Sequence, residues 1–141
     1  MNEIILTDEQ NHLIDELSKW FHDYESGHRY RDHAQWYSYS GQAGSGKTAI
    51  ISFLVDRLNL QEDEYITCAY TGRAALNLQQ KGLRGSTIHS LIYHTILEKE
   101  ESTDDEIEAG SPPFKMKFHF ILKDKLPDEL RLIIVDEATM V

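Results

Sequence analysis

Apolar residues recur along this chain with a period near 3.6 in some stretches and of two in others, and the two periods separate helices from strands. Leu13, Ile14, Leu17 and Phe21 fall at helical spacing. Thr7, with Gln10 three residues later, has the capping-box pattern that starts such a helix. Residues 23–32 are polar, hold Gly27 and read as a loop. Residues 35–40, with Trp36, Tyr37 and Tyr39, predict a short aromatic strand running straight into a glycine cluster.

Ile50, Ile51, Leu54, Val55 and Leu58 then form the stripe of a second helix over about residues 46–58. A strand is expected at 65–70, a helix at 72–80 ending near Gly82, and a short helix capped by Thr87 that carries His89 and Leu91. Phe114, Met116, Phe118 and Phe120 alternate with Lys115, Lys117 and His119, the pattern of a strand with one wet face. Residues 130–135 are nearly all apolar, as expected of a parallel strand covered on both faces. Strands alternating with helices predict an α/β layer architecture.

Length and composition fit one domain of this kind. The chain has 141 residues, 40% hydrophobic and 27% charged, enough for one modest core. Its formal net charge of −10 argues against a polyanionic partner when taken globally. The charge is unevenly spread, however. Residues 98–108 hold seven acidic side chains and one lysine, more than half of the excess. The single Cys68 allows no internal disulfide and reads as a buried, inert thiol. No membrane span or signal peptide is evident, so the expected setting is cytoplasmic, with no membrane partner.

The chemistry concentrates in two motifs. Gly41-Gln42-Ala43-Gly44-Ser45-Gly46-Lys47-Thr48 fits the phosphate-binding loop G-x-x-x-x-G-K-[ST], and it lies between a predicted strand and a predicted helix. Glycines there let backbone N–H groups turn inward around phosphate oxygens, and the following helix presents its positive end. Lys47 would reach the β- and γ-phosphates, and Thr48 would offer its hydroxyl to Mg²⁺. The second motif is the apolar run Leu132-Ile133-Ile134-Val135 ending in Asp136-Glu137. Carboxylates beside a core need a partner, and Mg²⁺ on Asp136 supplies one. Glu137 would polarise the attacking water. The alternative is a solvated strand end.

Further motifs bring a resemblance. Tyr70-Thr71-Gly72-Arg73-Ala74-Ala75, Gly85-Ser86-Thr87-Ile88-His89-Ser90 and Val135-Asp136-Glu137-Ala138-Thr139-Met140 are similar to successive motifs of the superfamily 1B DNA helicases, the RecD-like and Dda-like enzymes. The Leu6-Thr7 start with Gln10 resembles that family's Q motif. Tyr70 stands where the family has Pro, and Thr139 where it has Ser. The resemblance implies a RecA-like fold: a parallel sheet flanked by helices, of which residues 1–92 and 127–141 form parts and 93–126 an inserted hairpin subdomain.

It further implies ATP-driven 5′→3′ translocation on single-stranded DNA. Gln10 would read adenine, and Thr71, Arg73, Thr87 and His89 would line the strand-binding surface, with Lys81 and Arg84 adding local positive charge. In the hairpin, residues 94–97 and 114–121 would be the arms, and the acidic run a mobile tip. Phe114 or Phe118 could stack on a base, although most of these aromatics are expected to pack onto their own domain. Because the chain stops just past the Mg²⁺ motif, the resemblance also implies a truncated sheet, open beside the 132–135 strand and prone to self-association. Two other readings stay open: a phosphate-loop NTPase with no nucleic-acid role, and a non-catalytic interaction module.

Overall fold

The structure is a computed structural model and describes residues 5–27, 35–42 and 44–140. Helix α1 (Asp8–Glu25) starts at the expected capping box. The Gln10 N–H donates to Thr7 Oγ1 at 3.2 Å, and the Thr7 N–H donates to Gln10 Oε1 at 2.9 Å. These bonds satisfy two donors that the first helical turn leaves without partners. Ile14, Leu17 and Phe21 face inward from α1, and Ile50, Ile51, Leu54 and Val55 face inward from α2 (Lys47–Arg57). There follow β1 (Tyr65–Ala69), α3 (Gly72–Gln80), β2 (Gly85–Thr87) and α4 (Ile88–Ile92). The remainder comprises β3 (Tyr93–Glu101), α5 (Asp104–Glu108), β4 (Phe114–Leu122), β5 (Leu132–Val135) and a 3₁₀ turn, Ala138–Met140.

Strands β2, β1 and β5 form a parallel sheet in that order, so β1 is central. All five of its residues are buried. Tyr65 and Ala69 join the core made with the helices α1, α2 and α3, whereas Ile66 and Cys68 face Leu91 on the other side. This is the α/β architecture that the alternating pattern predicts, with helices on both faces of a parallel sheet. No described helix is long and apolar enough to cross a membrane.

Two local details lock the layers, and one buried group does not help them. A Cβ on Gly85 would stand 2.5 Å from the Ala75 carbonyl oxygen, so α3 can rest on β2 only because that residue is glycine. Arg131 lies just before β5 and donates through Nε and Nη2 to both oxygens of Glu25, and through Nη1 to Glu64 at 2.7 Å. One guanidinium thereby ties the end of α1 to the entry points of β1 and β5, a bidentate geometry that lysine could not supply. Thr67, fully buried in β1, has a hydroxyl with no hydrogen-bond partner.

Four expectations need correction. Residues 35–40 form no strand; side chains hold this segment instead. The Tyr37 hydroxyl donates to Glu16 Oε2 at 3.1 Å, and the Tyr37 ring meets Trp20 at 6.1 Å. The segment pairs with none of the described strands, and a lone strand is not stable without a ladder partner. For the same reason β5 is not covered throughout: Leu132 is buried, but Ile133 and Val135 are 42% and 40% exposed beside the open edge.

The hairpin of β3 and β4 is present and longer than expected, with Glu98, Glu100 and Glu101 inside β3. It packs little against the rest of the domain, so both faces of β4 are wet, and Phe118 is 62% exposed. Among the described residues, Phe120 alone of its phenylalanines stacks on a core-domain ring, meeting His89 with centroids 4.4 Å apart. Finally, the acidic tip is a built structure. Thr103 and Glu106 form a capping box for α5, and Glu106 pairs with Lys115. Acidic residues in a first helical turn complement the helix dipole. Lys117–Glu100 and His119–Glu98 pairs cross the strands behind them.

Thr67→Val removes an unpaired buried hydroxyl at constant shape and is expected to leave the urea midpoint unchanged or raise stability by about 1 kcal/mol. Gly85→Ala drives a methyl group into a backbone carbonyl and should cost about 1–3 kcal/mol in the same measurement. A pH effect follows from Glu64, whose carboxyl is held below its usual value by the Gln61 N–H and then by Arg131. A depressed folded-state value means that the stabilisation is present above the unfolded carboxylate pKa and lost as pH falls through the folded one. Stability of Glu64→Gln should therefore fall less steeply than wild type on acidification below about pH 4.5. Parallel curves would exclude the linkage.

Candidate phosphate-binding site

The loop between residue 40 and α2 has the backbone that its glycines permit. Gly44 and Gly46 sit at φ 79° and 82°, in the left-handed region where a side chain is strained. Gly46 is also the N-cap of α2, and a Cβ there would stand 2.8 Å from Gln10 Nε2. The Ser45 N–H closes the turn onto the Gln42 carbonyl at 3.1 Å. Lys47 and Thr48 are the first two residues of α2, where backbone N–H groups without helical partners collect and favour anions. Ala43 lies outside the described residues.

Four side chains fix this loop, each by a different carbonyl or hydroxyl. Lys47 Nζ donates to the Gly41 and Gln42 carbonyls at 2.7 and 2.9 Å. Gln10 Nε2 donates to the Ser45 carbonyl at 2.9 Å, so the capping residue of α1 is also a strut for the loop. The Tyr39 hydroxyl donates to the Lys47 carbonyl at 3.2 Å. Lys81 Nζ, just past the end of α3, reaches Thr48 Oγ1 at 3.3 Å. Local sequence could reveal neither Tyr39 nor Lys81 in these roles. The local pattern places Tyr39 on a strand and Lys81 in a basic surplus, and Lys81 lies 33 positions from its partner.

Asp136 and Glu137 follow β5. The Asp136 N–H donates to the Cys68 carbonyl at 2.8 Å, extending the β1–β5 ladder by one step. Asp136 is close enough to the loop for its charge to act on Tyr39. Burial first and that carboxylate second push the Tyr39 hydroxyl up to about 12. Glu137 is exposed and sits at φ 53°, a left-handed conformation costing an ordinary residue roughly 1–2 kcal/mol. Its N–H donates to Asp136 Oδ1 at 3.0 Å, which orients the aspartate. No hydrogen bond joins Asp136 to Thr48; the Thr48 hydroxyl is engaged by Lys81.

The donor set suits a nucleotide phosphate with Mg²⁺. The loop offers N–H groups, a lysine and a hydroxyl, and Asp136 would offer an oxygen ligand. Mg²⁺ characteristically takes one or two protein carboxylates and completes its shell with phosphate and water. Among the described residues no group of three or more His, Cys, Asp or Glu side chains is arranged to hold a metal by itself.

The remaining predicted residues line the carboxyl ends of β1 and β2. Thr71 caps α3 through the Ala74 N–H at 3.2 Å, and Thr87 caps α4 through the Ser90 N–H at 3.0 Å. Arg73 is exposed in the first turn of α3. His89 stands between the rings of Tyr93 and Phe120, with centroids 4.6 and 4.4 Å away, and thus joins α4 to the hairpin base. Arg84 turns away from this group and donates to the Glu62 and Tyr65 carbonyls.

The family model described as an AAA domain matches residues 28–141. The chain belongs to the AAA domain family. No curated protein and no solved structure matches it. Membership makes this AAA domain a phosphate-loop NTPase in type, in agreement with the loop and carboxylate geometry. Within it, Glu137 carries backbone strain at a position that the sequence pattern marks for water activation. Glu137→Gly relieves the left-handed backbone and is expected to hold or raise stability by about 1 kcal/mol while abolishing any turnover that needs the carboxylate. A clear fall in urea midpoint would show that the conformation is not strained.

Proposed function

We propose that this chain is the ATP-binding part of an ATP-dependent DNA helicase of the RecD-like class, moving 5′→3′ on single-stranded DNA. The observation that carries the reading is the set of residues at the carboxyl ends of the three parallel strands. Asp136 and Glu137 follow β5, Thr71 and Arg73 follow β1, and Thr87 ends β2 with His89 just after it. In open α/β sheets that edge is where ligands bind. An exposed arginine at a helix start is a normal phosphate partner. On this reading Lys47 and Thr48 hold the phosphates and Mg²⁺ of ATP, Gln10 contributes at the adenine end, and Glu137 polarises water. The hairpin aromatics offer faces for base stacking, worth about 1–3 kcal/mol per base.

The chain by itself is expected to bind ATP–Mg²⁺ weakly and hydrolyse it little. Among the described arginines, Arg57, Arg84 and Arg131 are engaged away from the loop and Arg73 lies in the first turn of α3, and a phosphate-facing arginine is worth roughly 10³–10⁵ in rate in related systems. The open edge of β5 invites pairing with a further strand, including one from a second copy. A second reading, an NTPase without a nucleic-acid role, is favoured by the use of the Thr71 and Thr87 hydroxyls as helix caps.

Fluorescence titrations separate the two. Lys47→Ala should abolish binding of a fluorescent ATP analogue in either case. Arg73→Ala should weaken binding of a labelled single-stranded oligonucleotide at least several-fold while leaving nucleotide binding intact. Absence of oligonucleotide binding by the wild type would leave the NTPase reading alone.

A further inference from the structure

Thr48 has an unusual companion. Its hydroxyl is the group that the nucleotide reading assigns to Mg²⁺, yet in the structure it accepts from the Lys81 ammonium at 3.3 Å. Lys47 cannot take that place, because its own ammonium is held at the start of the loop by two carbonyls. The loop therefore has one fixed cation at each end, supplied by different helices. Lys81 extends from the residue that ends α3, where its N–H bonds the Leu78 carbonyl. A long, flexible stem lets a lysine head travel several ångströms from such an anchor.

Mg²⁺ binds oxygen at about 2.0–2.1 Å and demands its own shell of ligands. An ammonium 3.3 Å from the same oxygen would then lie within a few ångströms of a divalent ion, and like charges that close repel strongly. The two cations cannot both own this position. We propose that Lys81 is a resident cation of the nucleotide site. It neutralises the phosphate chain when Mg²⁺ is absent and yields its place beside Thr48 when Mg²⁺ enters. This inference rests on the nucleotide reading of the loop. It adds that phosphate binding here depends less on Mg²⁺ than the loop alone would allow. A purely structural role for Lys81, as a positive charge complementing the end of α3, predicts no such effect.

The test is titration of the full chain with a fluorescent ATP analogue, once with excess Mg²⁺ and once with EDTA. Its readout is the ratio of the two affinities. In wild type the ratio should be small. In Lys81→Met, Mg²⁺-free binding should weaken by up to about fivefold, the worth of one exposed ion pair, while binding with Mg²⁺ is retained, so the ratio rises. Lys81→Arg should return it toward wild type. Lys81 is exposed, so far-UV circular dichroism and the thermal midpoint should be unchanged in both variants. An equal ratio in wild type and Lys81→Met overturns the inference even where Lys47→Ala abolishes binding. No binding by wild type under either condition overturns the nucleotide reading and this inference together.

Discussion

Strand β1 is buried on both faces and paired on both edges, so every other element of the sheet domain takes its position by reference to it. A parallel strand in that situation can satisfy its backbone only through its neighbours. Its alternate side chains divide the interior into two cores that meet only across the strand. The carboxyl end of β1 starts α3 at Thr71, and the Cys68 carbonyl beside that end holds the Asp136 N–H. The ladder thereby fixes the Asp136 carboxylate to the same edge as the helix caps.

The phosphate loop obeys a different logic. It has no ladder to hold it, since residues 35–40 do not join the sheet. It is instead suspended from side chains of α1, of the preceding segment and of α3, through Gln10, Tyr39 and Lys81. Its own carbonyls are occupied by Lys47. An anion entering the loop must exchange these bonds for new ones, so part of its binding energy is set against contacts the protein already makes to itself.

Local pattern made most of the scaffold legible. The capping box at Thr7, the stripes of α1 and α2, the span of α3 and the Thr87 cap all follow from spacing and end chemistry, and the structure keeps each of them. What spacing could not convey was which faces find a neighbour. Residues 114–122 alternate well, but alternation does not say that anything will cover the apolar side, and among the described residues little beyond His89 does. Leu132 to Val135 reads as a covered strand, but coverage depends on a partner at its other edge. The glycine loop and its Lys47 and Thr48 were legible because their chemistry is local. The roles of Tyr39 and Lys81 were not, because each depends on a contact between segments that no window of sequence contains.

The wet hairpin has a consequence for how the molecule comes apart. Its two strands are held by their own ladder, by crossing ion pairs, and at the base by the His89–Phe120 contact and the Lys123 bonds to α4. Little of the main core is spent on it, so it constitutes a separate cooperative unit with its own low opening free energy. Its amide protons should therefore exchange with solvent through a local event that leaves β1 protected, and salt that screens the ion pairs should speed that exchange without loosening the sheet. The domain thus carries a stiff sheet and a looser hairpin on one chain, joined through the single turn of α4 on one side and residues 123–131 on the other.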